Sequence, residues 1–418
     1  MGELVWRLVG DATMDEQADL LSSTEAARRL GVKPKTLYAY VSRGLVRRER
    51  SEDGRRSWFD PAEVERLARR GRQSARSEHP RLAVDSAVTS VQGGRLRYRG
   101  LEAVALAAGR RFEEVAHWLW TGTFPQQADW WAEPRGLAVG RSAQAVLPAD
   151  TLPLGRLRVI AAALAATLGA AGELRLQLDP PAVVDAAQSL VASLVGCLPD
   201  AQAAVPTVPR RGAGIAERLW RKLTPAEPEP SLLRALDAAL VLLADHEPTA
   251  STTAVRAAAS VRADPYAVVS AGLAAAGGAL HTRASLDIDA LLAEAGRPAR
   301  AARAVGERLR RGERIRGFGH FLYPAGDPRA AFLLERLSAA AAETERPAVA
   351  EQLAVAEAVL SAARRRHLPA PNVDFALATL ARMAGMIPGA GEAVFVTART
   401  AGWLAHAIDA YQTGPAAR

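Results

Sequence analysis

From about residue 83 onward, the chain is a succession of apolar segments with helical spacing, separated by breaks rich in proline and glycine. Alanine, the strongest helix former, is abundant, and aromatic residues make up only 5% of the chain. One segment, 85–98, has two glycines near its middle and predicts a hairpin of two strands. The other segments predict helices, most clearly at 112–120, 157–168, 182–198, 232–244, 255–261, 265–277, 353–364, 374–383 and 392–408. We therefore expect a body that is almost entirely α-helical.

Length and composition bound the class of protein. A chain of 418 residues is too long for one ordinary core, which predicts two or three domains. Its 49% apolar and 23% charged residues are typical of a soluble globular protein. The one cysteine, Cys197, excludes a disulfide framework or a cysteine-rich metal site and fits a reducing cytoplasm, where we expect the protein to be. Residues 1–20 lack the apolar core of a signal peptide, and no apolar run, 159–169 included, is long enough to span a membrane.

The positive charge is concentrated near the N-terminus. The formal net charge is +8, and residues 21–76 carry 15 basic and 7 acidic side chains, whereas the rest of the chain carries 38 of each. A local surplus of this kind is the electrostatic footprint of a phosphate-binding module, and a solvated basic face is the alternative. Residues 1–13 show no periodicity, so Met14 is a candidate for the true start of the protein, and we expect the segment 1–19 to be disordered or to contain a wrongly assigned start.

Residues 20–72 have the pattern of two short helices joined by a tight turn. A Ser/Thr cap at 22–24 precedes an apolar stripe, which Gly31 interrupts. Pro34 then begins a second helix, which Gly44 ends. Two helices around a short glycine-containing turn are the parts of a helix-turn-helix.

A basic hairpin follows the two helices. The Asp53–Gly54 step lies between two extended segments and predicts a tight turn, and Asp60–Pro61 begins a closing helix that runs to Leu67. Over about fifty residues the arrangement resembles the winged helix-turn-helix of MerR-type regulators and phage excisionases, most specifically in AARRLGVKPKTLYAYVSRGLV at 26–46. We expect the polar stretch 73–83 to be a linker. The resemblance implies DNA contacts at Lys35, Thr36, Tyr38, Arg43, Arg55 and Arg56.

Several common catalytic patterns are absent from the sequence. There is no HExxH, GxSxG or GxxxxGK, so the sequence lacks the motifs that would indicate a metallopeptidase, an α/β-hydrolase or a P-loop protein. The Gly317–Gly319 pair does not extend to a dinucleotide fingerprint. The seven histidines are more informative, because His246, His281 and His320 each lie beside a charged or glycine-rich motif. Taken singly, each of them is more often structural than catalytic.

Five ordered motifs give these histidines a context. The chain contains, in the order and at the spacings of the citrate synthase family, ADHEPTASTTAVRAAAS (244–260), GALH (278–281), GFGH…DPR (317–329), PNVDF (371–375) and RTAGWLAH (399–406). Upstream, 98–125 is similar to the family's entry region, so the resemblance spans about 84–408. It implies a mainly α, citrate synthase-like body behind the small winged helix-turn-helix, with a large domain at 84–281 and 386–418 and a small domain at 282–385.

The resemblance assigns roles in a condensation between an acyl-CoA thioester and oxaloacetate. Asp374 is the implied base for the acyl carbon, and His281 the donor of a hydrogen bond to the thioester oxygen. His320 would polarise and protonate the oxaloacetate carbonyl. The implied oxaloacetate and citrate contacts are His246, His320, Arg329 and Arg399, and the implied CoA contacts are Gly317, Phe318 and Gly319. No metal or cofactor is implied, because the CoA thioester is itself a substrate, and the family resemblance implies a homodimer.

Three departures from the family's pattern change the expected contacts with the substrates. His281 is followed by Thr282 and Arg283, where the family usually has two glycines. The loop at 320–329, HFLYPAGDPR, lacks the Arg and Lys of the commoner pattern, which changes the expected contacts of the CoA phosphates. The family's Arg-Pro segment, which supplies a carboxylate partner to the neighbouring subunit, is not seen before Arg418, so we expect weaker oxaloacetate binding, by roughly 2–5 kcal/mol.

Three functions are open at this point. The first is a citrate synthase, or a relative that uses propionyl-CoA as a methylcitrate synthase does. The second is a transcriptional regulator that senses a metabolite through a weak or inactive citrate synthase fold. The third is a protein-docking module on an inert scaffold, against which the basic surplus of 21–76 argues only weakly. The ordered motifs favour the enzyme, and the sequence does not give the acyl group, the DNA target or a ligand that couples the two parts.

Overall fold

The chain folds into two compact units. A computed structural model describes residues 20–30, 32, 34–42, 46–50, 57–61, 63–65, 87–126, 135–172, 178–201, 212–246, 249–278 and 283–413. The units are Met1–Arg81 and Leu82–Arg418. Each has its own cluster of buried apolar side chains.

The N-terminal unit contains the two predicted helices and an antiparallel wing. Its elements are β1 (Leu21–Ser22), α1 (Ser23–Leu30), α2 (Pro34–Ser42), β2 (Glu49–Arg50) and β3 (Ser57–Phe59). Strands β2 and β3 form the wing, with Glu49 opposite Trp58. Strand β1, which the sequence pattern does not predict, pairs with the other edge of β3 and gives the order β1-β3-β2. The predicted breaks at Gly31 and Gly44 and the turn at Asp53–Gly54 lie outside the described residues.

Local chemistry and a small core hold this unit together. The Ser22 hydroxyl accepts a hydrogen bond from the Glu25 N–H at 3.3 Å, so it caps one of the free N–H groups in the first turn of α1. Leu37 of α2 and Phe59 of β3 are fully buried and join the helices to the wing. Part of the predicted closing helix is present at 63–65.

The described part of the C-terminal unit begins with the predicted hairpin. Strand β4 (Thr89–Gln92) pairs with β5 (Arg95–Tyr98), and between them Gly93 and Gly94 have φ of 57° and 74°. Positive φ at both turn residues matches the twist of the strands and favours glycine. A short strand, β6 (Leu101–Glu102), adds to β5 and is not predicted by the sequence pattern.

Helices make up most of what the structure describes beyond this sheet. Each predicted helical segment falls on an observed helix, and several helices begin earlier than predicted because a proline occupies their first position. The helices are α3 (Ala103–Gly109), α4 (Phe112–Thr121), α5 (Leu137–Gln144), α6 (Pro153–Leu164) with a π-helical turn (Ala165–Gly169), α7 (Pro180–Cys197), α8 (Ile215–Leu223), α9 (Pro230–Leu243), α10 (Ala250–Ser260), α11 (Pro265–Ala276), α12 (Arg283–Ala295), α13 (Pro298–Arg310), α14 (Pro328–Glu343), α15 (Pro347–Arg364), α16 (Val373–Met383) and α17 (Ala390–Thr413).

Helix α17 is the central helix of this unit. Its Trp403 is completely buried, and the helix packs against α4, α6, α7, α9, α10 and α11. A helix whose residues are mostly buried on every face must be surrounded in this way. A second apolar cluster joins α12, α13, α15 and α16, and α16 contributes to both clusters through Ala376 and Phe375. The division into a large and a small domain stays a prediction.

The expectation that no apolar run is long enough to span a membrane needs one correction: among the described residues, helix α7 is long and apolar enough by length and composition alone. In its 18-residue window, 61% of the residues are buried inside the protein. The apolar side chains of α7 therefore already pack in the core.

Candidate active site

Two of the histidines singled out from the sequence meet in one buried site. His246 follows the end of α9, and His320 lies in the loop between α13 and α14, with the two ring centroids 5.1 Å apart and the planes at 78°. The Tyr323 hydroxyl lies 3.0 Å from His246 Nε2 and makes a hydrogen bond with it. Burial lowers the pKa of His246 well below its usual value, and the positive charge of Arg329 lowers it further. His246 is therefore a neutral imidazole near pH 7, with one donor and one acceptor nitrogen.

Arg329 and Asp327 form a buried ion pair at the end of the loop that carries His320. Arg329 Nε and Nη2 donate to Asp327 Oδ1 and Oδ2 at 3.0 and 2.9 Å, a bidentate geometry. The carboxylate also accepts the Arg329 N–H at the start of α14 and the Val373 N–H at the start of α16, each at 3.0 Å. Burial opposes the charge of Asp327, but the guanidinium and these N–H groups hold the pKa of Asp327 below its usual value. The pair thus ties two helix starts together beside the histidines.

The glycine loop, residues 317–319, is bonded to the loop that precedes α16. The Gly319 N–H donates to Ala370 O at 2.8 Å, and the Asn372 N–H donates to Gly317 O at 2.9 Å. Both glycines have left-handed φ, 86° and 76°, and a Cβ on Gly317 would lie 2.5 Å from Ile288 Cγ1. Glycine is therefore required at 317, where the backbone is left-handed and passes close to Ile288 of α12.

Asp374 lies in the first turn of α16, directly after these loops. Asn372 caps the helix, since its Oδ1 accepts the Asp374 N–H at 3.0 Å. Burial raises the pKa of Asp374 to about 6, while the positive charges of Arg329 and Arg399 act in the opposite direction. A carboxyl group with this pKa is mostly ionised at neutral pH and is a stronger base than an ordinary aspartate.

Arg399, on α17, completes the group of charged residues and is 1% exposed. Its Nε donates to Leu243 O at the end of α9 at 3.0 Å, and its guanidinium lies 4.8 Å from the centre of the Phe395 ring. Its Nη1 is buried and has no hydrogen-bond partner among the described residues. Burial lowers the pKa of Arg399, and the negative charge of Asp245 offsets only part of this effect. A buried guanidinium with an unused donor is a ready partner for a carboxylate ligand.

The fold thus brings together most of the site residues that the resemblance implied. Phe318, between the two glycines, packs on Phe375 with ring centroids 5.3 Å apart, next to Asp374. His281 lies outside the described residues. The residues that converge by contact or by mutual electrostatic effect are His246, His320, Arg329, Asp374 and Arg399, and their roles on a substrate stay predictions.

The DNA-contact candidates lie in the N-terminal unit. Thr36 and Tyr38 are on α2, where Tyr38 is 40% exposed and its hydroxyl lies 3.1 Å from Ser23 Oγ. Lys35 is in the same helix, although its side chain, like all of Arg43, Arg55 and Arg56, lies outside what the structure describes. Contact with DNA at these positions stays a prediction.

Four residues that stabilise this site have no role assigned from the sequence. Asp327 could have been identified, because the aspartate of an Asp-Pro step before a helix is a common N-cap. Tyr323 lies within the same quoted motif, but only the structure brings its hydroxyl to His246. The bond between His406 and Asp245 joins residues 161 positions apart, which no spacing rule predicts. Over the described residues, no group of three or more His, Cys, Asp and Glu side chains is arranged to hold a metal ion.

Two family profiles match the chain, one in each unit. The profile described as "Citrate synthase, C-terminal domain" matches residues 81–418. The chain belongs to the citrate synthase family. Citrate synthase 2 of Bacillus subtilis is 29% identical over 79% of this chain and 90% of its own, and the citrate synthase of Synechocystis sp. is 32% identical over 78% and 84%. The crystal structure of citrate synthase from Thermotoga maritima has a TM-score of 0.61 and 26% identity, over 80% of this chain and 90% of that one.

The second profile, "MerR HTH family regulatory protein", matches residues 21–70, so the chain carries a MerR-type helix-turn-helix domain. Its relatives also include a 2-methylcitrate synthase of Mycobacterium tuberculosis, 28% identical over 76% of this chain and 81% of that protein. A citrate synthase from Thermoplasma acidophilum shares the fold, with a TM-score of 0.60 at 22% identity over 82% of this chain and 94% of that one, and was solved as a ternary complex with carboxymethyl coenzyme A and oxaloacetate.

Proposed function

We propose that the C-terminal unit condenses a short acyl-CoA with oxaloacetate, and that with acetyl-CoA the products are citrate and free CoA. One observation carries this proposal: Asp374, with a pKa of about 6, lies under the electrostatic influence of the buried Arg329 and Arg399. The two facing histidines and membership of the citrate synthase family support the same reaction class.

The first step removes a proton from the carbon next to the thioester carbonyl. This carbon is a very weak acid, so the step needs a strong base and a hydrogen-bond donor for the enolate oxygen. Asp374 accepts the proton, and its raised pKa makes it a stronger base while about nine-tenths of it stays ionised at pH 7. His281 donates the hydrogen bond to the enolate oxygen in this scheme.

Oxaloacetate carries two carboxylates and needs donors for both. Arg399 offers the buried Nη1 that has no partner within the described residues. Arg329 uses Nε and Nη2 on Asp327, which orients its Nη1 edge for a ligand. His246, neutral and bonded to Tyr323, supplies a further polar contact.

Carbon–carbon bond formation joins the enolate carbon to the keto carbon of oxaloacetate. The keto oxygen becomes an alkoxide and takes a proton, which His320 supplies. His320 Nδ1 accepts the Leu322 N–H at 3.2 Å, so in the neutral tautomer the ring proton is on Nε2, which is the donor in this scheme. Water then hydrolyses the thioester of the condensed product, which releases CoA and the tricarboxylate.

CoA-thiol release by the purified protein, with oxaloacetate and acetyl-CoA, tests the proposal. Asp374→Asn keeps the shape of the side chain and removes the base, so we expect kcat to fall by about 10²–10⁴-fold. Asp237→Asn is the matched control, since it changes another aspartate whose pKa is raised by burial, in α9 and among different partners. Equal turnover by Asp374→Asn and the wild type would contradict the proposed role of the base.

The acyl group is a separate question, because a 2-methylcitrate synthase is among the relatives. We propose acetyl-CoA as the preferred substrate. A ratio of kcat/KM for acetyl-CoA over propionyl-CoA above one would support this choice, and a ratio well below one would assign the protein to the propionyl-CoA reaction.

The MerR-type domain favours a second function, DNA binding, in the same chain. We infer phosphate and base contacts at Lys35, Thr36, Tyr38, Arg43, Arg55 and Arg56. If two of the arginines contact phosphates, the double change Arg55→Ala and Arg56→Ala should reduce the slope of log K against log salt by about 2. Fluorescence anisotropy with a duplex from the chain's own promoter, at several salt concentrations, measures this. An unchanged slope would remove these contacts, and a shift of Kd on adding citrate or CoA would support the metabolite-sensing regulator.

We also propose a homodimer whose subunits have a large domain at 84–281 and 386–418 and a small domain at 282–385. The family resemblance supports both statements. Light scattering should then give about twice the 44.3 kDa mass of the chain. A monomeric mass at micromolar concentration would exclude the dimer.

A further inference from the structure

Directly before His246, the side chain of Asp245 joins three parts of the C-terminal unit. Asp245 is fully buried. Its Oδ2 accepts two hydrogen bonds, from Thr89 Oγ1 of β4 at 2.5 Å and from His406 Nε2 of α17 at 2.9 Å. The segment that carries His246 is therefore bonded on one side to the hairpin and on the other to the central helix.

The proton on His406 follows from its second contact. His406 Nδ1 lies 3.4 Å from Arg256 Nη1. A guanidinium has donors only, so Nδ1 is the acceptor and the proton of the ring is on Nε2. This tautomer donates to the Asp245 carboxylate, which makes a charge-assisted hydrogen bond in a site without water access.

Helix α17 also binds the carbonyl groups at the end of α9. The last carbonyls of a helix have no partner within it. Arg399 Nε donates to Leu243 O, and the Gly402 N–H donates to Ala244 O, both at 3.0 Å. A Cβ on Gly402 would lie 2.5 Å from Ala244 O, so this approach requires glycine. Arg399, Gly402 and His406 are spaced i, i+3 and i+7 and so share one face of α17.

We propose that Asp245 and His406 are positioning residues, whose hydrogen bond holds His246 at the distance from Arg399 that one bound oxaloacetate requires. The inference rests on the proposed function, because it assigns His246 and Arg399 to the same ligand. Asp245 and His406 do not touch that ligand; they act through the backbone that joins 245 to 246. The acyl-CoA side depends on α16 and the glycine loop instead, so its affinity does not depend on this bond.

Substitutions at His406 in the full-length chain separate these effects. His406→Leu removes the hydrogen bond with little change of volume, and His406→Gln keeps an amide N–H that can reach Asp245. We expect His406→Leu to raise the KM for oxaloacetate about tenfold, with the KM for acyl-CoA and kcat at saturating oxaloacetate nearly unchanged. His406→Gln should recover most of the oxaloacetate affinity.

Tyr411→Phe is the matched control on the same helix. The Tyr411 hydroxyl donates to Ala263 O at 2.5 Å, outside the site residues, and the side chain is 7% exposed. Its loss should lower the melting temperature and leave both KM values unchanged. Equal increases of both KM values in His406→Leu, or no increase for oxaloacetate, would overturn the positioning role.

Calorimetric titration with oxaloacetate distinguishes the two possible failures. If the wild type binds no oxaloacetate, the proposed function falls and this inference falls with it. If the wild type and His406→Leu bind oxaloacetate equally, only the positioning role is overturned. Should His406→Leu not fold, His406→Asn, whose amide is too short to reach Asp245, carries the test: weaker binding than His406→Gln supports the role, and equal binding overturns it.

Discussion

Replacing Asp327 by asparagine should lower the free energy of unfolding and weaken the binding of oxaloacetate. Four donors converge on this carboxylate: the Arg329 N–H and Nε on Oδ1, and Arg329 Nη2 and the Val373 N–H on Oδ2. An asparagine amide has one acceptor oxygen, so its NH2 group faces two donors whichever way it is turned. Two hydrogen bonds are then lost, and the charge of Arg329 stays buried without its counter-ion.

The size of the effect follows from the burial of the pair. The side chains of Arg329 and Asp327 are 3% and 1% exposed. Removing one partner of such a pair costs about 3–5 kcal/mol of unfolding free energy, because the remaining charge is uncompensated. The pair Arg234–Glu343, at 2.8 Å but with side chains 61% and 57% exposed, contributes about 1 kcal/mol at most. Glu343→Gln is therefore a control with the same chemistry at the surface.

Urea unfolding at pH 7, monitored by circular dichroism, measures the free energy of unfolding. Initial rates at varied oxaloacetate concentrations measure the KM for oxaloacetate. Asp327→Asn should lose several kcal/mol and raise the KM for oxaloacetate, since Arg329 loses the partner that orients it. Glu343→Gln should lose about 1 kcal/mol at most and leave the KM for oxaloacetate unchanged. An Asp327→Asn protein as stable as the wild type would refute the argument from the four converging donors.

Other expectations concern pH and a single hydroxyl. The pKa of about 6 for Asp374 predicts that kcat/KM falls about tenfold from pH 7 to pH 5; a flat profile over this range would contradict its role as the base. Burial, with the charge of Glu113, raises the pKa of Asp237 to about 7, so from about pH 4 to pH 7 the folded chain keeps a proton that the unfolded chain releases, and stability falls as pH rises. Asp237→Asn should therefore raise the unfolding free energy at pH 8 by up to about 4 kcal/mol and leave it unchanged at pH 4; equal gains at both pH values would refute the linkage. Tyr323→Phe removes the hydroxyl bonded to His246 and should raise the KM for oxaloacetate about fivefold, and an unchanged KM would show that this bond does not orient the ring.

The helices of the C-terminal unit are predictable because their signals are local. Apolar spacing places each helix, and a proline at the first position explains why α9 and α15 begin before the predicted segments. The hairpin at 89–98 is equally local, since two glycines with positive φ define its turn. The strands β1 and β6 have only two residues each, and their pairing depends on partners that a local pattern does not contain.

The sequence motifs select the candidate residues but do not give their arrangement, and the roles of these residues stay predictions. The motifs named His246, His320, Arg329, Asp374 and Arg399, which the structure brings together. The motifs do not predict which side chains are buried. An arginine on a C-terminal helix is usually solvated, whereas Arg399 is 1% exposed. The Asp245–His406 bond and the pKa of Asp374 are also products of packing between segments far apart in the chain. The burial of Arg399, the Asp245–His406 bond and the pKa of Asp374 therefore depend on the folded structure around these residues and cannot be read from any one motif.

Oxaloacetate-dependent release of CoA thiol is the measurement that tests the central claim most directly. Wild type and Asp374→Asn would be assayed side by side with acetyl-CoA and with propionyl-CoA, and the tricarboxylate product identified by mass. We expect the folded wild type to release CoA only when oxaloacetate is present, and Asp374→Asn to lose at least 99% of this rate. A folded wild type that releases no CoA with either thioester, or a variant that matches it, would contradict the claim that this site is a working citrate synthase.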